Sequence, residues 1–276
     1  MTPLDVLAPM AVLAGVGVVI DAAEILVARA ALAPKGLFSW EVLKLGRRYL
    51  VAGPFSRSLG CLFRYPQVLA LPVVQLVCAP VLLSAPFLPK SLAIPSIAVA
   101  ALVTVMMRIL FTMRQQLGLD GADQMLVIGL LAIGGGAALG NTVAGHAAVD
   151  YAALQLLLSY AIAGAAKAIS PTWRSGSAIV GITGTIGYGH ARVHSVVKRF
   201  PLLAKALCWS VITFECSAAP LILLGVKGAW VIIVVGMCFH IGVAAVMGLN
   251  VFLWAFAACY PALLLLGSQV DHLLGR

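Results

Sequence analysis

Runs of about 18 or more apolar residues, the length a helix needs to cross ~30 Å of hydrocarbon, recur along the whole chain. They predict eight helices: Leu4–Ala33, Val68–Phe87, Leu92–Phe111, Gln124–Leu139, Ala147–Ile169, Leu202–Leu224, Trp230–Val246 and Leu249–Leu266. The last two are nearly continuous, so two crossings require a sharp turn near Met247 to Asn250. The longest polar connections, Pro34–Pro66 and Pro171–Pro201, are too short for a soluble domain, and no internal repeat interrupts the pattern. The pattern therefore predicts an all-α, polytopic integral membrane bundle of about eight transmembrane helices, one domain spanning 1–276.

Composition agrees: 62% of residues are hydrophobic, 10% are charged and the mean hydropathy is +1.08, values foreign to the surface of a water-soluble domain. The formal charge of +9 raises nucleic acid as a partner, but its distribution points elsewhere. Twelve of the eighteen Lys and Arg fall in alternate connections: Lys35, Lys44, Arg47, Arg48, Arg57 and Arg64, then Arg114, then Arg174, Arg192, Lys198, Arg199 and Lys205. The intervening connections and tail hold Lys90, Lys227 and Arg276. This bias places the basic connections in the cytoplasm and both termini outside, in a multi-pass protein of a cell membrane with anionic lipid as its neighbour. The N-terminus has no basic region, and its apolar segment carries Asp21, Glu24 and Arg29 in place of a cleavage site, which predicts no removable signal peptide. Of six cysteines, five lie within predicted helices without ligand spacing, predicting buried thiols and no metal site.

Chemistry is then sought among ionisable groups at membrane depth, each of which costs about 2.5 to 3.5 kcal/mol unless satisfied. Asp21 and Glu24 share a face of the first helix and predict an ion pair with another helix. Arg108, one turn from its helix end, is placed to snorkel. Glu215 lies about the middle of its span, so it is either neutral or paired, with Lys167, Arg108 or His240 as the possible partners. His240 is similarly deep and reads as a hydrogen-bonded core residue or a site residue. Lys167 follows Tyr160 by two turns, amid Ala161, Ala163, Gly164, Ala165 and Ala166, which allow another helix to pack closely. Pro171 stops that helix, and Trp173 and Arg174 anchor its end at the interface. Such a lysine either snorkels or is desolvated into a usable base. The turn from Arg114 to Gln124 contains Asp120-Gly121, with Asp120 or Asp123 placed to cap the next helix. The Ile133–Gly136 run reads as helix packing. No HExxH, GxSxG, Walker or GxGxxG pattern occurs, which leaves hydrolase and nucleotide-binding readings without support.

Taken together, the segment Ala163–Gly176, the LGLDGADQ turn with Asp120, Asp123 and Gln124, Glu215, and the His240–Leu264 segment with its GLNVFLW run around Asn250 resemble the HTTM family. This is the transmembrane domain of the vitamin K-dependent gamma-carboxylase and its bacterial relatives, and the size is similar to that of small bacterial members of the sporulation-delaying protein B type. The resemblance implies a base at Lys167, with His240 and Glu215 beside it, and Arg108, Asp120, Asp123, Gln124, Trp173 and Asn250 as binding or structural positions. It implies a reduced quinone such as menaquinone as cofactor, and a small soluble protein and a secreted peptide precursor as partners. Gln124 stands where the carboxylase has a histidine, and the large substrate-recognising domain has no counterpart. The charge bias sets Lys167 at the inner face, whereas the carboxylase site faces the lumen. Three functions follow as expectations: maturation of a secreted toxin-like peptide, quinone-linked oxidation or carboxylation, and transport or immunity.

Overall fold

The computed structural model describes residues 1–47, 56–115 and 120–276. Arg48 and the Gln116–Leu119 part of the predicted turn lie outside the described residues. Among those described there are helices and no strands. Those that make up the membrane-length segments are α1 (Pro3–Val27), α2 (Ala70–Leu83), α3 (Lys90–Arg114), α4 (Gly121–Leu139), α5 (Val143–Ile169), α6 (Pro201–Leu221), α7 (Gly225–Met247), α8 (Asn250–Ala257) and α9 (Tyr260–Leu273). Among the described residues seven segments are long and apolar enough to cross a membrane, the sixth being the 47 residues Pro201–Met247. That segment is a hairpin. Phe214 of α6 and Phe239 of α7 have ring centroids 5.9 Å apart, where a continuous helix would hold residues 25 positions apart at roughly 37 Å.

The hairpin corner is built by Gly225, whose φ of +66° suits a residue without a Cβ. A Cβ there would also strike Asp271 of α9, whose carboxylate accepts a hydrogen bond from the Val226 amide at 2.9 Å. The expected turn near Met247 to Asn250 is present, made by Gly248 at φ +72°. Other boundaries move by local chemistry. The first helix ends at Val27 and continues as a 3-10 turn over Arg29–Leu32, six residues short of the run predicted to reach Ala33 in regular helix. The fourth begins earlier, because Asp120 accepts from the Ala122 and Asp123 amides while Asp123 returns a bond to the Asp120 amide. The last predicted helix is broken before Tyr260, where Pro261 withholds a backbone donor.

From α1 to α8 consecutive long helices pack as antiparallel neighbours, and α8 and α9, two pieces of one span, close the bundle against α1 and α7. One apolar core runs through it, with Met10, Val18, Leu126, Leu156, Ile232 and Leu263 fully buried or nearly so. Outward faces are aliphatic, with Val77, Val99, Leu154, Ile162 and Val234 all exposed. The glycine run of α4 serves packing: a Cβ on Gly134 would meet Leu102, and one on Gly136 would meet Val149. Arg114, counted above among the loop charges, is fully buried and donates to the Phe63 and Phe38 carbonyls at 2.9 and 2.8 Å, fastening the basic segment after α1 to the end of α3. All six cysteines are free thiols, but of the five expected to be buried only Cys208 and Cys259 are; Cys216 and Cys238 are exposed and Cys78 is half-buried, and Cys61, outside that expectation, is exposed.

Candidate functional site

Lys167 and Glu215 meet across α5 and α6. Gly164, one turn before Lys167, lets the helices approach so closely that a Cβ would lie 2.8 Å from the Cys216 amide nitrogen. Across this gap the Lys167 ammonium donates to both carboxylate oxygens, 2.8 Å to Oε1 and 2.6 Å to Oε2. Glu215 is 4% exposed and Lys167 19%, so the pair is sealed on the acid's side and open on the amine's. Trp173, from the short helix Pro171–Ser175, covers the amine with its ring centroid 5.1 Å from Nζ. The interfacial tryptophan therefore has a partner of its own, a cation held over its ring face.

His240 does not join that pair. Its Nε2 lies 2.8 Å from the Tyr160 hydroxyl, which is 2.9 Å from the Tyr260 hydroxyl, a chain linking α7, α5 and α9. All three side chains are buried, and Phe239, Phe252 and Phe256 pack around the imidazole at ring distances of 4.9, 5.3 and 4.4 Å. Nδ1 of His240 is buried with no hydrogen-bond partner. Tyr160 and Lys167 are two turns apart on α5, about 10 Å, and Phe214, the residue before Glu215, packs edge-on to Tyr160 at 5.0 Å. The three residues expected to surround one pocket thus form two polar centres in succession along the α5–α6 interface, because Phe214 and Tyr160 fill the space between them.

A third centre gathers most of the remaining positions. Arg108 is buried, donating to Asp21 at 2.5 Å and to Asp123 at 2.8 Å, so it does not snorkel. The reason is electrostatic: α1 and the start of α4 each present a carboxylate within hydrogen-bond reach of its guanidinium. Around this triad opens a cleft of about 190 Å³ whose wall includes Glu24, Gln75, Asp120 and Asn250. The Asn250 amide donates to Glu24 at 3.4 Å. Gln124 is exposed on α4 and lines none of the three centres.

Sequence reasoning missed Tyr160, Tyr260 and Gln75, which are uncharged and so escape a search for membrane charges. Among the described residues no group of three or more His, Cys, Asp or Glu could hold a metal ion. The ends of α1, α3, α5 and α7 lie on one face, together with the basic connections and the cleft, and the Lys167 pair lies toward that face. No family model, curated protein or solved structure matches this chain.

Proposed function

We propose that this chain is a multi-pass protein of a bacterial plasma membrane that matures an exported peptide, working by proton transfer at Lys167 and Glu215. The observation that carries this reading is the pairing itself. A lysine two residues from the end of a helix can reach water, yet Lys167 folds back onto a carboxylate that is almost sealed. Desolvating two opposite charges commonly costs as much as their attraction returns, so the pair is poorly explained by stability alone.

One proton moving from Nζ to Oε2 converts the ion pair into a neutral amine and a carboxylic acid. The amine then takes a proton from a substrate at the exposed edge and hands it to product at the same edge, after which the Glu215 proton returns to Nζ and restores the ion pair. The resemblance to the HTTM family assigns the base to the same lysine. The partners this reading requires are a peptide precursor and a small soluble protein, reaching the pair from the face that bears the basic connections.

The deeper centre favours a quinone-linked form of the reaction. A reduced quinone such as menaquinone, when bound, would supply electrons and protons. One feature supports such a headgroup: Nδ1 of His240 is a buried polar atom without a partner, and it would receive the ring only after the phenylalanines packed on the imidazole part. Tyr160 and Tyr260 would hold and orient the imidazole and pass its proton along the chain.

Mass spectra of exported peptides from cells carrying the wild type and Lys167→Ala test the first reading. A shifted or missing mature peptide is expected; identical spectra refute it. Lipid extracted from the purified protein should contain quinone, lost in His240→Phe, and its absence from the wild type removes the quinone-linked form.

A further inference from the structure

The cleft beside Arg108 has an imbalance that ion pairing within it does not resolve. Four carboxylates, Asp21, Glu24, Asp120 and Asp123, face a single guanidinium among the described residues that line it. Arg108 spends one terminal nitrogen on Asp21 and the other on Asp123. Asp120 caps α4, and Glu24 has only the long contact from Asn250. The field in the cleft is therefore negative, and low-dielectric walls on several sides concentrate it.

A second observation is independent of charge. Gln75 of α2 forms part of the cleft wall, is wholly buried, and has neither its amide nitrogen nor its amide oxygen hydrogen-bonded. A buried amide with both ends unmet is costly in an apolar bundle, where a leucine or methionine would pack as well. Its presence calls for a ligand that brings N–H donors to Oε1. The walls supply the rest of a receptor: Ile25, Phe111, Leu249 and Phe252 are apolar surfaces for a hydrocarbon stem. Among the described residues no three His, Cys, Asp or Glu are grouped to hold a metal ion, and about 190 Å³ has room for several non-hydrogen atoms.

We infer that this cleft binds the ammonium or guanidinium group of an organic cation, held by Glu24, Asp120 and the Gln75 carbonyl. This site is separate from the Lys167–Glu215 pair and does not depend on what that pair does.

The probe is n-butylguanidinium chloride, titrated calorimetrically into the full-length protein in lipid nanodiscs. Tetramethylammonium chloride at matched ionic strength is the control, having the same charge and no N–H donor. Saturable one-site binding of butylguanidinium is expected, weakened about tenfold or more in Glu24→Gln, the loss of one charge-assisted contact. Gln75→Met should weaken binding while leaving the thermal midpoint equal or higher. No saturable heat overturns the inference, as does equal binding of tetramethylammonium or unchanged affinity in both variants. Should Glu24→Gln fail to fold, Gln75→Met alone decides, since its amide makes no hydrogen bond within the protein.

Discussion

Replacing either member of the Lys167–Glu215 pair should destabilise the bundle by unequal amounts, and the inequality follows from exposure. In Lys167→Met the carboxylate of Glu215, 4% exposed, is left without its cation and without a route to water. Stranding a buried charge costs about 3 to 5 kcal/mol. In Glu215→Leu the ammonium keeps its 19% exposure and the Trp173 ring, and it can swing outward. Its cost falls to about 1 to 2 kcal/mol, close to that of one lost charged hydrogen bond. The double variant removes both charges and should return to within about 1 kcal/mol of the wild type. Unfolding of the four proteins in one detergent by titration with SDS gives the cycle. Additive single effects, or a larger loss in Glu215→Leu than in Lys167→Met, would refute the geometry described for the pair.

Three further outcomes are expected. Gly164→Val should separate α5 from α6, because its side chain meets the Cys216 backbone, and should cost at least as much as Lys167→Met; a wild-type unfolding curve would contradict the close approach. Arg108→Gln should strand Asp21 and Asp123 at a cost of about 3 kcal/mol or more, partly recovered by adding Asp21→Asn; no recovery would count against their pairing. In a background lacking the other cysteines, Cys61, exposed in the basic segment after α1, should resist membrane-impermeant maleimide added to intact cells and react after permeabilisation. Labelling in intact cells would invert the topology.

The long apolar runs made the helices legible, since a span must be continuous whatever it packs against. The turn near Gly248 and the cap at Asp120 were legible for the same local reason: glycine and aspartate set backbone geometry within a few residues. Helix ends at Val27 and Tyr260 were not, because hydropathy does not record where a 3-10 turn or Pro261 interrupts the ladder. Lys167, Glu215, His240 and Arg108 stood out as charges in an apolar chain, but their partners depend on contacts between residues as much as 87 positions apart. Spacing along one helix cannot encode which neighbour it faces. Tyr160, Tyr260 and Gln75 carried no signal, as tyrosine and glutamine inside a span raise no alarm in a hydropathy profile.

The central claim is that Lys167 gives up a proton, and Lys167→Arg tests it most directly. Arginine keeps the positive charge and can pair bidentately with Glu215, but it does not deprotonate in a protein. Exported peptide masses would be compared between wild type and Lys167→Arg at equal levels of folded protein. A stable protein and no mature peptide are expected. Wild-type peptide from Lys167→Arg would contradict it and make the pair a structural clasp.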